Sequence, residues 1–189
     1  MLTPDLFRNK FEGAQAYAPY VLSGRPGEQV NWNAAHARVV LTPEHRSLLA
    51  AMIRRINVLV ISGTWCGDCV HQCPMFDHIA GASRVITLRF VDRDTNLDLA
   101  TRLMICGGLR VPTVVFLNED FEFVSILGDR VLSRYRRLAA RNLGAACPLP
   151  GAPLAPDESA ETLQDWMSEF ERVHLLLRLS PKLRARHGD

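Results

Sequence analysis

Cys66 and Cys69 are separated by two residues, Gly67 and Asp68, a few positions after a wholly apolar run, Val58-Leu59-Val60-Ile61. One helical turn leaves two Cα atoms so spaced about 5 Å apart, within the range that a disulfide bridges. A helix starting at Cys66 would turn its unpaired N–H groups and its dipole toward that sulfur and favour the thiolate, the attacking species. Cys69, one turn further in, would be shielded. The chemistry open to such a pair is attack by Cys66 on a disulfide, a mixed disulfide, and release when Cys69 attacks Cys66.

Three further cysteines, 73, 106 and 147, make an odd total that cannot pair completely and does not look like a structural disulfide framework. Cys73, four residues after Cys69 on the same helical face, can be read as a metal ligand with Cys66, Cys69 and His71 or Cys106, as a spare resolving thiol, or as a core residue. The core reading is adopted and no metal is assigned. Cys106, ahead of Gly107-Gly108, is read as helix-end packing, and Cys147 as an exposed thiol open to mixed disulfides. His71 is taken as solvated beside the dithiol, and Asp92 and Asp94 as turn and cap residues. No GxGxxG, P-loop or Ser-His-Asp arrangement offers another chemistry.

With 189 residues, 48% hydrophobic and 22% charged, the chain can bury one ordinary core plus an elaboration. A net charge of +2 supplies no field that would draw in nucleic acid or a membrane surface, so neither is expected as a partner. Met1-Leu2-Thr3-Pro4-Asp5-Leu6 has no basic region followed by an apolar core, and no apolar run approaches spanning length. A soluble, cytoplasmic protein is expected, in a compartment that keeps thiols reduced.

The elements that must position the dithiol follow from pattern. Residues 1–56 read as an N-terminal helical extension, with starts at Thr3-Pro4-Asp5 and Thr42-Pro43-Glu44 and a looser stretch over 24–33. Residues 57–142 read as an α/β core: strand 58–62, helix 66–79, strand 84–91, helix 97–105, strands 113–117 and 121–127 across a tight Asn118-Glu119-Asp120 turn, and a basic helix 130–142. That last helix is expected to pack Val131, Leu132, Tyr135 and Leu138 on the sheet and show its arginines to water. A Pro-rich linker over 143–156, an amphipathic helix over 157–180 capped by Asp157, and a basic tail over 181–189 complete the chain. The stripe Leu163, Trp166, Met167, Phe170, Val173 and Leu177 is expected to dock on its own domain or on a second copy, so a homodimer through the terminal helices is one expectation.

Thr64-Trp65-Cys66-Gly67-Asp68-Cys69 resembles the WCxxC site of the thioredoxin superfamily, placed after a buried strand as in that family. Pro74 resembles its helix-kinking proline, Val111-Pro112-Thr113 its cis-proline segment, and Gly128 a further glycine, so the likeness runs over roughly residues 56–142. The resemblance implies a thioredoxin-like fold, a mixed sheet flanked by helices, here with helical extensions at both ends. It implies Cys66 as nucleophile and Cys69 as resolving thiol, with Trp65, Gly67, Asp68, Val111 and Pro112 against the substrate. Val111 would present backbone to an extended segment and Pro112 would fix it. No cofactor beyond the Cys66–Cys69 disulfide is implied.

Two departures stand out. Asp68 replaces the usual proline between the cysteines, and Val60 replaces the buried acid expected six residues before Cys66. A carboxylate beside Cys66 should oppose thiolate formation, and loss of the strand acid removes a proton acceptor for Cys69. The CGDC site with a long helical extension resembles a bacterial branch of thioredoxin-like proteins. The expected activity is thiol-disulfide oxidoreduction, reducing disulfides of proteins or low-molecular-weight thiols, with electrons from a reductase or a small thiol. The alternative is a binding module whose CxxC is structural or zinc-loaded.

Overall fold

The apolar run before the dithiol is the centre of the molecule. In the computed structural model, which describes residues 2–143 and 158–188, it forms strand β1 (Ile56–Ser62), buried along its whole length. β1 pairs in parallel with β2 (Ile86–Asp92) and antiparallel with β3 (Thr113–Leu117), which pairs antiparallel with β4 (Phe123–Gly128). The spatial order is β2-β1-β3-β4. A strand with neighbours on both edges and helices on both faces has no place for polar alternation, which is why β1 reads as a continuous run.

Register places Val58, Val60, Phe90 and Phe116 on one face. Against that face lie α2 (Tyr17–Leu22), α5 (Gly67–Gly81) and α8 (Glu158–Leu179). Tyr20 stacks on Phe90, Phe170 meets Phe116 edge-on, and the Ser62 hydroxyl lies 3.7 Å from the Cys73 sulfur. Arg89, on the opposite face, lies over Phe11 of α1 (Pro4–Glu12), whose Phe7 stacks on Phe123. The sheet is therefore covered on both sides, a mixed four-stranded sheet of thioredoxin type with additional helices at both termini.

The expected starts at Thr3 and Thr42 cap α1 and α4 (Pro43–Ala50), each side-chain oxygen accepting a first-turn N–H. The stretch over 24–33 is not loose. It carries α3 (Pro26–His36), opened by Pro26 and by Glu28, whose carboxylate accepts the Arg25 N–H. Its polar sequence hides one deep anchor, Trp32, fully buried with its Nε1–H donating to the Thr64 carbonyl at 2.8 Å. The helix expected over 97–105 is only α6 (Leu97–Ala100). The chain turns after Leu103, and Ile105 and Gly108 exchange both backbone hydrogen bonds across Cys106 and Gly107, both at positive φ.

The basic helix is α7 (Leu132–Leu143), and its orientation differs from expectation. Val131 is buried as expected and Leu138 is partly buried, but Leu132 and Tyr135 are exposed, whereas Arg134, Arg137 and, just before the helix, Arg130 turn inward to acids on α5 and α8. α8 docks on its own chain: Leu163, Trp166, Met167, Phe170, Val173 and Leu177 are all buried. Asp165 of α8 accepts the Ser133 N–H at 2.8 Å, capping α7. Within the expected basic tail lies α9 (Pro181–His187), tied by Lys182 and Arg186 to Glu122. The expected linker beyond Leu143, with Cys147 and Asp157, lies outside the described residues. Among those described, no helix is long and apolar enough to cross a membrane.

Candidate active site

The dithiol sits where β1 gives way to α5. Cys66 is the N-cap, in extended conformation, its N–H donating to the Gly63 carbonyl at 3.0 Å and its carbonyl accepting from Val70 at 3.0 Å. As the N-cap of α5, Cys66 lies at the helix end whose unpaired N–H groups and dipole favour negative charge. Cys66 is half-buried, whereas Cys69 is fully buried and Cys73, a turn later, is fully buried as well. These sulfurs and that of Cys106 are free thiols.

Burial pushes the Cys69 thiol well above the ordinary cysteine range. The hydrogen bond with Cys69, and after it burial, also hold Cys66 above its ordinary value. Two adjacent thiols surrender their protons one at a time, because a thiolate on one opposes a thiolate on the other. The amides and solvent at Cys66 stabilise the first charge, and Cys69 keeps its proton longer.

The segment before β3 closes the site from the other side. The Val111–Pro112 peptide is cis, and the Cys66 thiol donates to the Val111 carbonyl at 3.6 Å. Gly128 makes room for this segment, since a Cβ there would stand 2.5 Å from the Pro112 carbonyl oxygen. Trp65 lies half-exposed with Gly63 beneath it, where a Cβ would come within 2.6 Å of the indole. Arg93 covers the ring at 4.5 Å from its centroid. Nothing stands over Gly67 within 4 Å of a Cβ position, so the approach to Cys66 is open there.

The structure thus brings Cys66, Cys69, Trp65, Gly67, Asp68, Val111 and Pro112 together. Asp68, however, does not present a bare carboxylate to the sulfur. Its Oδ2 takes Arg130 Nη2 at 2.5 Å and its Oδ1 takes Arg134 Nη2 at 2.7 Å. Cys73 faces Ser62 in the core, and exposed Cys106 occupies the turn tip. Asp92 is a turn residue, accepting the N–H groups of Asp94 and Thr95, while Asp94 pairs with Arg93.

Several contributors were not visible in the motif. Gln72 accepts from Trp166 Nε1 at 3.1 Å and donates to the Asp129 carbonyl at 2.9 Å, joining α8 through α5 to the turn after β4. Asp129 takes Tyr135, Arg110 and Arg130; burial works to raise its carboxyl, and these partners bring it below the usual range. Beside the dithiol, α3, α5 and the start of α8 enclose a cleft of about 600 Å³, lined among others by Glu28, Arg38, Trp65, Gly67, Val70 and His71.

The thioredoxin family model matches residues 15–132. The TPR repeat-containing thioredoxin of Arabidopsis thaliana is 31% identical over 86 residues, 45% of this chain and 22% of that protein, so this chain spans about a fifth of that relative's length. A Pseudomonas aeruginosa protein of unknown function superposes with a TM-score of 0.66 at 20% identity, over 86% of this chain and 93% of its own. An HIV epitope scaffold does so with a TM-score of 0.66 at 18% identity, over 88% and 95%. At such identities these two likenesses show a shared fold, one that takes in most of the chain. With the family match covering more than half of the sequence, from the first bridge to β2 through to α7, the chain belongs to the thioredoxin family.

Proposed function

We propose that this protein is a cytoplasmic thiol-disulfide oxidoreductase that reduces disulfides of proteins or low-molecular-weight compounds, with Cys66 as nucleophile and Cys69 as resolving thiol. The observation that carries the reading is the contrast within one helical turn. Cys66 is a half-exposed N-cap at the positive end of α5, and Cys69 is fully buried behind it.

The Cys66 thiolate attacks one sulfur of the substrate disulfide, the substrate S–S bond breaks, and the departing thiolate takes up a proton. A mixed disulfide now joins Cys66 to the remaining substrate half. Cys69, losing its proton, attacks the Cys66 sulfur; the mixed disulfide breaks and the second substrate thiolate is protonated. Two electrons have passed from the dithiol to the substrate, leaving the Cys66–Cys69 disulfide. A reductase or small thiol then supplies two electrons and two protons to restore the dithiol. Val111 offers its backbone to an extended substrate segment, Pro112 sets its direction, Trp65 forms an apolar rim, and the open space over Gly67 admits the scissile bond. The reducing direction follows from a cytosol poised against stable disulfides. Asp68 adds less to it than its charge suggests, because two guanidiniums meet it.

Trapping tests the assignment of roles. Incubated with a disulfide-linked peptide, Cys69→Ser should accumulate a mixed disulfide at Cys66, found by mass spectrometry and released by dithiothreitol. Cys66→Ser should lose that adduct and show at most slow background at other thiols such as exposed Cys106. Equal trapping at other cysteines, or none in Cys69→Ser, would contradict the proposal.

A further inference from the structure

Asp68 is the second residue of α5 and would, unpaired, place a negative charge within one turn of Cys66. Its side chain is only 16% exposed and both oxygens are occupied, Oδ2 by Arg130 and Oδ1 by Arg134. Arg130 also reaches Asp129 Oδ2 at 3.1 Å, and Arg134 reaches Glu158 Oε1 at 3.2 Å. Arg134 reaches Asp68 from the first turn of α7 and Arg130 from the segment just before that helix. Their planar forks, 25% and 13% exposed, hold the carboxylate in a fixed orientation that a lysine would not impose.

The other charged groups near the dithiol are already matched. Asp129 is held by Arg110, Arg130 and Tyr135, and Glu158 by Arg134. Glu28 of α3 accepts from Thr64 Oγ1 at 2.7 Å and from the Arg25 N–H at 3.0 Å. Arg93 lies over Trp65 and pairs with Asp94, while His71 of α5 lines the neighbouring cleft. Asp68 is therefore the acid whose influence on Cys66 depends on Arg130 and Arg134.

We propose that Arg130 and Arg134 are positioning residues for the dithiol, clamping the Asp68 carboxylate so that its charge is spent on their two guanidiniums and not on the Cys66 thiolate. The inference rests on Cys66 being the nucleophile of the proposed reaction, and it assigns to α7 and α8 a part in setting that nucleophile's reactivity. A guanidinium pair lost from Asp68 leaves a carboxylate that repels a thiolate forming nearby.

The test is the pH profile of Cys66 alkylation by iodoacetamide in the reduced protein, read by peptide mass spectrometry. Arg130→Gln/Arg134→Gln should shift the profile upward so that alkylation at pH 7 falls about tenfold, the consequence of a one-unit rise. Asp68→Asn alone, which removes the carboxylate while Arg130 keeps Asp129 and Arg134 keeps Glu158, should speed it severalfold. Combining all three changes should return the rate to within about threefold of the wild type, as expected of residues that act through one another. A wild-type profile in the double-arginine variant, or a triple variant as slow as the double, would overturn the proposal. Circular dichroism checks folding, and should the double variant not fold, an unchanged rate in Asp68→Asn overturns it equally. Because no substrate or disulfide is involved, this outcome stands apart from whether the dithiol turns over.

Discussion

Cys66, Cys69 and Cys73 lie on successive turns of one helix yet meet three environments: a solvent-facing helix end, a buried position behind it, and the core against Ser62. Under the proposed mechanism Cys73 takes no part. Cys73→Ala should leave disulfide reduction within about twofold of the wild type while lowering stability by about 1 kcal/mol, the scale for trimming a small buried side chain. A steady-state assay paired with urea unfolding measures both, and a loss of turnover beyond tenfold would return Cys73 to the site. At this scale the dithiol and Pro112 were legible because each is announced by its immediate neighbours. The partners of Asp68 were not, since they lie more than sixty residues away and only the path of the chain into α7 brings them in. A faint signal existed. Arg130, Arg134 and Arg137 repeat at helical spacing, and Asp68, Glu158 and Glu161 supply matching acids. Reading such a run as a solvated face ignores that a helix added beyond it can cover that face.

Elements from both ends of the chain converge on α5. Trp32 of α3 holds the Thr64 carbonyl just before the dithiol, and Trp166 of α8 holds Gln72 within the helix and meets Phe76 at 4.5 Å. Trp166 is fully buried, so Trp166→Ala should cost about 3–5 kcal/mol in urea or thermal unfolding. The same change leaves Gln72 Oε1 without its donor, a further penalty for a buried polar atom. A cost below about 1 kcal/mol would mean that α8 contributes little to the fold. The docking stripe of α8 was readable because six large apolar residues recur at helical spacing. α3 was missed because it buries chiefly one large side chain amid Gln29, Asn31 and Asn33, which gives no period to detect. The helix expected through Ile105 stops early because the Cys106-Gly107 turn reverses the chain, a tertiary demand that apolar spacing does not encode.

On the scale of the whole molecule, the last helix is fastened to the far edge of the sheet by charge. Hydrogen bonds from Lys182 and Asn118, with Arg186, hold the Glu122 carboxyl down at about 2, below its unperturbed 4.5. A depressed folded-state value contributes stability above the unfolded value and loses it as pH falls from 4.5 toward 2. Acid unfolding followed by circular dichroism should therefore show a shallower loss over that window in Glu122→Gln than in the wild type; identical slopes would contradict the linkage. The succession of strands and helices in the core followed from pattern, because a buried run, a helix and a second run admit few arrangements; the spatial order β2-β1-β3-β4 did not. Which helix covers the active-site turn did not, because it depends on how both termini fold back. Under the proposed function Cys66 and Cys69 form a working redox couple. The most direct measurement is a glutathione redox titration with alkylation of thiols and mapping of linkages by mass spectrometry. One reversible two-electron transition confined to Cys66 and Cys69 is expected, with Cys73 reduced throughout. No transition, or a disulfide that always includes another cysteine, would contradict it.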